Sequence, residues 1–307
     1  MNDTPRIALI GCGNAGQAMA QALSGHFALT LYDRDEAQSR KSADAAQGRA
    51  DVASDAAEAV GKADLVMLSL PTPAASLSVA NEIKDTIRRG TLVLETSTVR
   101  PEDVLALHEL LTPSGAVVID CAIVGGIAAL SEGRSAFLVG ASEGDAGLAD
   151  EVLGRLAEDI FWLGSRRKGM AAKLVVNAVA HAVYVVLVEA GALAAAQDIP
   201  MDVLQRLLER DSGLMRPLTH RFGERLRNHD FAGGMSVTNA AKDSRLAQDS
   251  ADALGVPLYA IPAAHEVYEL AIQEGLAQLD YAAIGKLWED RLGIDFSEGG
   301  VAGDACD

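Results

Sequence analysis

The feature that most constrains the fold lies at the start of the chain. An apolar run at residues 7–10 passes directly into Gly11-Cys12-Gly13-Asn14-Ala15-Gly16, and residues 14–23 continue as an Ala-rich amphipathic stretch. Glycines at this G-x-G-x-x-G spacing allow a tight turn, let the backbone approach a pyrophosphate, and permit close strand–helix packing. The N–H groups at the start of the following helix have no partner within it, so they can hold an anion. A second strand-like run, 28–32, ends at Asp33, 20 residues after Gly13. That position suits a carboxylate accepting hydrogen bonds from an adenine-ribose 2′-hydroxyl. Gly11, Gly13, Asn14, Ala15, Gly16, Asp33 and Arg34 are therefore candidate dinucleotide contacts. Asp33 repels a 2′-phosphate and favours NAD, whereas Arg34 could receive that phosphate and keeps NADP open.

Further short apolar runs follow at 65–70, 92–95, 117–120 and 136–140, separated by amphipathic stretches. This alternation predicts an α/β unit, a Rossmann-type doubly wound parallel sheet with helices on both faces. Asn-Gly or Asp-Gly turns are not evident between the runs, so antiparallel hairpins are not expected. The pattern changes near residue 165. No proline occurs between Pro113 and Pro200, and 169–197 can form one helix with Gly191 as its only interior glycine. The expected organisation is a nucleotide domain at 1–165, an all-α domain at 166–296 entered through the long helix, and a small polar tail at 297–307 without fixed structure. The long helix is apolar enough to raise the question of a membrane span. Lys173, Asn177, His181 and Glu189 argue against one, since each is costly in lipid.

The formal net charge is −17. Both halves are acidic, with 12 basic against 23 acidic residues up to 165 and 14 against 20 afterwards. Nucleic-acid and anionic-membrane partners are not expected, because their phosphates call for a broad cationic surface. An anionic small molecule would be met instead by backbone N–H groups and a few local cations. The three cysteines, Cys12, Cys121 and Cys306, form no CxxC pair. No disulfide framework or metal site is expected, and a reducing cytoplasm fits. Residues 1–6 show no signal-peptide pattern.

Lys173, Asn177 and His181 recur every four residues and so share one face of the long helix. Lys173 lies near the helix start, where the dipole disfavours an ammonium, and Arg166, Arg167 and Lys168 would push the same way. Burial would add to both effects. A lysine lowered toward neutrality suits a general base. His181 reads as a packed helix residue, and Cys12 as a space-filling one.

Together these residues resemble the β-hydroxyacid dehydrogenases, the group that includes 3-hydroxyisobutyrate dehydrogenase and tartronate semialdehyde reductase. The resemblance covers roughly residues 6–290, in order. The glycine loop leads to Met19-Ala20 and Tyr32-Asp33. Leu70-Pro71 stands where the family touches its cofactor, and Ser97-Thr98-Val99-Arg100-Pro101 matches S-T-x-x-P near the nicotinamide. Residues 120–126 match D-A-P-V-S-G-G. Gly169-x-x-x-Lys173-x-x-x-Asn177 is followed by Glu189-Ala190 and by the K-D pair Lys242-Asp243.

The resemblance implies a hydride transfer between a nicotinamide and a small β-hydroxy acid or semialdehyde. Lys173 would be the general acid/base, and Asn177 would hold the reacting oxygen. Leu70, Pro71, Thr98 and Lys242 would border the cofactor. Ser97 would seat the nicotinamide ribose or the substrate, and backbone groups of Gly125 and Gly126 would bind a substrate carboxylate. A homodimer or homotetramer built through the helical domain is also implied. The chain departs from the pattern at Val124, where the family has serine, and at Gly133-Arg134-Ser135, where it often has Gly-Thr-Leu. Both changes point to a bulkier or less polar substrate. Arg216 is the candidate replacement cation and Phe231 a candidate lining residue. The remaining arginines between 206 and 227 are expected to be solvated or paired with Glu209, Asp211 and Glu224. Imine reduction, which related proteins perform on this architecture, is the alternative reading. Those relatives typically lack the lysine. A non-enzymatic dinucleotide-sensing module is a third reading, and the presence of Lys173, Asn177 and Lys242 counts against it.

Overall fold

The computed structural model describes residues 4–144, 146–210 and 214–297. The chain forms two compact units, Met1–Ala178 and Val179–Asp307.

The first unit holds strands β1 (Arg6–Ile10), β2 (Ala28–Tyr32), β3 (Ala50–Val52), β4 (Leu65–Leu68), β5 (Leu92–Glu95), β6 (Val117–Val124), β7 (Ser135–Val139) and β8 (Ala157–Trp162). Its helices are α1 (Asn14–Leu23), α2 (Glu36–Ala45), α3 (Ala56–Val60), α4 (Pro73–Ile83), α5 (Pro101–Leu111), α6 (Ile127–Ser131) and α7 (Leu148–Leu153), and α8 (Lys168–Ala195) begins here. The strands form one sheet in the order β3-β2-β1-β4-β5-β6-β7-β8. Pairing is parallel from β3 through β6 and again between β7 and β8.

The antiparallel pair β6–β7 corrects the expectation drawn from turn residues. Residues 125–134, which contain Gly125, Gly126 and α6, connect the two strands in place of a tight hairpin turn. β3 and β8 also lie outside the apolar runs. β3 has three residues, and β8 carries Glu158 and Asp159 on an edge of the sheet, where charge discourages pairing with another chain.

Alternation along each strand feeds two apolar layers. Ile7 and Leu9 pack with Met19 and Leu23 of α1 and Val152 of α7. Ala8 and Ile10 pack on the opposite face with Val60 of α3, Ile83 of α4 and Leu107 of α5. α1 and α4 therefore leave β1 and β4 toward opposite faces. Adjacent parallel strands whose connections part in this way open a crevice at their carboxyl ends.

The second unit is helical, with the rest of α8, α9 (Met201–Leu208), a π-helix (Pro217–Leu226), α10 (Val237–Leu254), α11 (Ala260–Gln273) and α12 (Lys286–Leu292). Glu189 of α8 is buried, and its carboxylate accepts the N–H groups of Tyr259, Ala260 and Ile261 at the start of α11. Burial alone would raise its pKa, but the three donors outweigh it and hold the group below its ordinary value. The arginine pairings differ from those expected. Buried Asp280 receives Arg221 Nε at 3.1 Å and Arg225 Nε at 3.8 Å, while Arg206 pairs with Asp202. Glu224 contacts His220 and Glu209 contacts Gln205. Asp211, Cys306 and the tail from 298 onward lie outside the described residues.

Candidate active site

The crevice after β1 and β4 is a cleft of about 770 Å³ within the first unit. The turn after β1 forms one wall. Gly11 has φ +97°, a conformation that L side chains rarely adopt, and a Cβ there would strike the carbonyl of Ser69. A Cβ on Gly16 would strike the carbonyl of Gly11. Gly16 is buried and serves packing; it is the one glycine of the motif that does not line the cleft. Gly13 is different. A Cβ on it meets nothing within 4 Å, and it lines the cleft with Asn14 and Ala15. α1 starts at this point with no side-chain cap and no acidic residue in its first turn. The open Gly13 position and the uncapped donors fit a pyrophosphate.

Asp33, at the end of β2, accepts the N–H of Cys12 at 2.8 Å and that of Asp35 at 2.9 Å. It thus fixes the glycine turn while also bordering the cleft, and exposed Arg34 lines the cleft beside it. These residues fit the adenosine half of a dinucleotide. Cys12 is fully buried, and burial is the main reason its thiol is pushed up to about 11, so it is an unreactive filler.

The loops after β4 and β5 are tied to each other. Leu70 N–H donates to Ser97 Oγ at 2.8 Å, and Thr96 Oγ1 donates to the Leu68 carbonyl at 2.6 Å. Leu70, Pro71, Ser97 and Thr98 all line the cleft. Ser97 Oγ is therefore already engaged as an acceptor, which gives this side chain a structural task as well as a place at the wall.

Gly125, with φ +129°, and Gly126 line the far end of the cleft together with Ile123, Ile127 and Leu130. Val124 does not line it. Its side chain packs against the apolar cluster of Val99, Ala122 and Met170. The loss of the family hydroxyl thus coincides with a position turned into packing. Ile123 and Ile127 present apolar surface beside Gly125 and Gly126.

Lys173 is half-buried, lines the same cleft, and is held below its ordinary pKa by burial. Burial is the cause of that shift. The Arg167 side chain lies 3.8 Å from Glu102. The helix start that carries Lys173 is anchored by Asp120 of β6. This fully buried carboxylate accepts Arg167 N–H through Oδ1 and Met170 N–H through Oδ2, each at 2.9 Å. Sequence analysis placed Asp120 in a motif but assigned it no role, because its partners lie 47 and 50 residues away. Asn177 is half-buried one turn beyond Lys173 and does not line the cleft. Tyr32, Gln38, Ser78 and Glu82 also line it, and sequence analysis missed all four. The signal available for Ser78 and Glu82 was the amphipathic stretch after Leu70-Pro71.

Three predicted residues belong to the second unit. Lys242 is exposed and pairs with adjacent Asp243 at 3.0 Å. Arg216 is exposed at the start of the π-helix. Phe231 is half-buried, stacks on His229 with ring centroids 6.0 Å apart, and has Lys286 Nζ 5.7 Å from its ring centroid.

The chain is similar to known proteins over most of its length. Residues 6–164 match the model of the NAD-binding domain of 6-phosphogluconate dehydrogenase, and residues 168–288 match the NAD-binding domain of NADP-dependent 3-hydroxyisobutyrate dehydrogenase. Mitochondrial 3-hydroxyisobutyrate dehydrogenase of Rattus norvegicus is 28% identical over 288 residues, covering 91% of this chain and 85% of its own length. NAD-dependent L-serine dehydrogenase of Pseudomonas aeruginosa is 29% identical over 301 residues, covering 94% and 99%. Among solved structures, Mycobacterium tuberculosis 3-hydroxyisobutyrate dehydrogenase with L-serine aligns at TM-score 0.63 and 26% identity, over 93% of this chain and 99% of that one. An imine reductase from Pseudomonas sp. aligns at TM-score 0.83 and 18% identity, over 93% and 100%, a likeness of fold.

Proposed function

The chain belongs to the β-hydroxyacid dehydrogenase family, NAD(P)-dependent enzymes acting on CH–OH groups, and from that premise we propose that Lys173 is its general acid/base. The observation that carries this reading is that Lys173 shares one cleft with the glycine turn while burial favours its neutral amine. In oxidation, the neutral Nζ takes the substrate hydroxyl proton as the carbon–oxygen double bond forms. In reduction, the ammonium returns that proton to the carbonyl oxygen. Asn177 donates a hydrogen bond to the same oxygen. Backbone N–H groups of Gly125 and Gly126 orient the substrate, and Ile123 and Ile127 exclude water at that end. The nicotinamide, when bound, supplies the hydride acceptor or donor. Asp33 favours NAD over NADP.

The substrate class is a small β-hydroxy acid or its semialdehyde, with less polarity near Gly125 than the family norm. Imine reduction is the weaker reading, because it leaves Lys173 without a task. We further propose a cytoplasmic homodimer or homotetramer. The buried, separate thiols Cys12 and Cys121 suit a reducing compartment. Val175, Val179, Tyr184 and Val188 of α8 are each more than half exposed, apolar area that a second copy would cover. By length and composition α8 is apolar enough to cross a membrane, but its Glu189 is already committed to α11. Light scattering on the purified protein tests the assembly.

The central test is Lys173→Ala. NADH affinity should be retained while kcat falls by about 10²–10⁴-fold, the usual contribution of a positioned acid/base. A variant turning over hydroxy acids at the wild-type rate would remove Lys173 from the mechanism. A panel of hydroxy acids, semialdehydes and imines then sets the substrate class.

A further inference from the structure

The cleft is underlain by an acidic group that the reaction does not use. Glu95, the last residue of β5, is 1% exposed. Its Oε1 accepts the N–H of Ser97 at 2.8 Å. Ser97 in turn receives Leu70 N–H on its Oγ, so one relay runs from the buried carboxyl to both loops at the cleft wall. The other oxygen, Oε2, is buried without a hydrogen-bond partner, as is the hydroxyl of Ser76 on α4. The Ser76 hydroxyl is directed at Glu95. Two acidic residues lie beside Glu95. Asp103 comes from α5, and Asp120 is its register partner on β6. Cys121, the next residue of β6, is a buried thiol that takes up no positive charge.

We propose that Glu95 is a positioning residue for the dinucleotide, and that its charge state sets how firmly the loops after β4 and β5 hold that ligand. The proposal rests on the dinucleotide reading of the cleft. Burial is the main cause that pushes this carboxyl up to about 7, with Asp103 adding to it and the Ser97 hydrogen bonds and the nearby Ser76 hydroxyl opposing it. Near neutrality the group is thus divided between two forms. The protonated form offers Oε2–H to Ser76 Oγ and satisfies both orphaned atoms. The ionised form places a bare charge beneath a cleft that receives a doubly negative pyrophosphate. Binding therefore favours the proton on Glu95, and affinity declines as pH rises through the range in which it ionises.

The experiment is NADH titration by fluorescence across a pH series, on the full chain without substrate. For the wild type, Kd should weaken by about threefold to tenfold between about pH 6 and about pH 8.5, tenfold corresponding to one pKa unit gained on binding. Glu95→Gln keeps an acceptor for Ser97 N–H and a donor toward Ser76, so its Kd should stay at the tight value with no slope. Ser76→Ala removes the hydroxyl directed at Glu95, so its midpoint should shift from the wild-type value. A flat wild-type profile, or the same slope in Glu95→Gln, would overturn the proposal. Should Glu95→Gln not fold, an unmoved midpoint in Ser76→Ala overturns it alone. Absence of NADH binding at every pH would instead refute the dinucleotide reading.

Discussion

Replacing Asp120 with Asn is expected to loosen the start of α8 and with it the aim of Lys173. The carboxylate is fully buried, and each of its oxygens accepts one backbone N–H. It lies close against Gly140 and Gly169, where a Cβ on either residue would collide with it. Asparagine retains one acceptor and turns an NH₂ toward the other donor. The better arrangement keeps the oxygen on buried Met170 N–H and leaves half-buried Arg167 N–H to partial hydration. The loss is then one charge-assisted hydrogen bond, about 1.5–3 kcal/mol, plus part of the cost of an unmet donor, for a total of about 2–4 kcal/mol. Equilibrium urea unfolding measures it. Trp162 reports the first unit once Trp288, the other of the two tryptophans, is changed to Phe. Under conditions where the variant is folded, kcat should fall more than NADH affinity, since misplacement by about 1 Å can cost 10²-fold. A stability loss below about 1 kcal/mol with unchanged kcat would refute the anchoring role.

The remaining predictions concern single contacts. Gly13→Ala should leave unfolding unchanged to within about 0.5 kcal/mol yet weaken NADH binding, because its Cβ stands free of the protein at the cleft wall. Gly16→Ala should instead lower stability, since its Cβ meets the Gly11 carbonyl, and equal unfolding midpoints for the two variants would contradict this division. Glu189→Gln should cost about 1.5–3 kcal/mol at neutral pH, the value of a charge-assisted contact. The folded pKa of Glu189 is depressed, so its contribution is complete above the unfolded value of about 4.3 and is lost as pH falls through the lower folded value. Wild type and variant should therefore converge in acid, and a constant gap would argue against the linkage. Asp33→Asn should shift the NADPH-to-NADH affinity ratio toward NADPH by about tenfold, a difference of about 1.4 kcal/mol, and an unchanged ratio would remove Asp33 from cofactor choice.

Local chemistry made much of this molecule legible. The glycine spacing, the apolar runs of six strands and the uninterrupted stretch before Pro200 each follow from neighbours in sequence. The misses share one cause, which is dependence on distant partners. β8 is a strand because β7 supplies its hydrogen bonds, although Glu158 and Asp159 interrupt its apolar pattern. Arg221 and Arg225, expected to be solvated or paired with Glu209, Asp211 or Glu224, meet Asp280, more than fifty residues away. Val124 lies in the expected motif, but it ends β6 and its side chain follows the strand pleat into the cluster around Met170. The pattern of residue types marked the site, and pairing across the fold decided which side chains face it.

The acidic composition takes on a specific meaning in this light. Several carboxylates act on backbone N–H groups. Asp35, Asp55 and Asp103 cap or box α2, α3 and α5, Asp120 anchors α8, and Glu189 receives α11. Thr72 serves α4 in the same way. Buried or half-buried donors at helix starts need such acceptors, so each of these helices has its first-turn requirement met by the protein. Among the described helices of ten or more residues that begin in the first unit, α1 alone has neither a side-chain acceptor nor an acid in its first turn. Asp33, at the end of β2, is turned to the N–H of Cys12, one residue before that helix's N-cap, and the helix start itself has no side-chain acceptor. A chain with 43 acidic residues thus keeps the start of α1 clear of them, and that start opens on the cleft that holds Lys173. Selectivity for an anion here needs no broad positive surface, because the discriminating feature is where the carboxylates have been withheld.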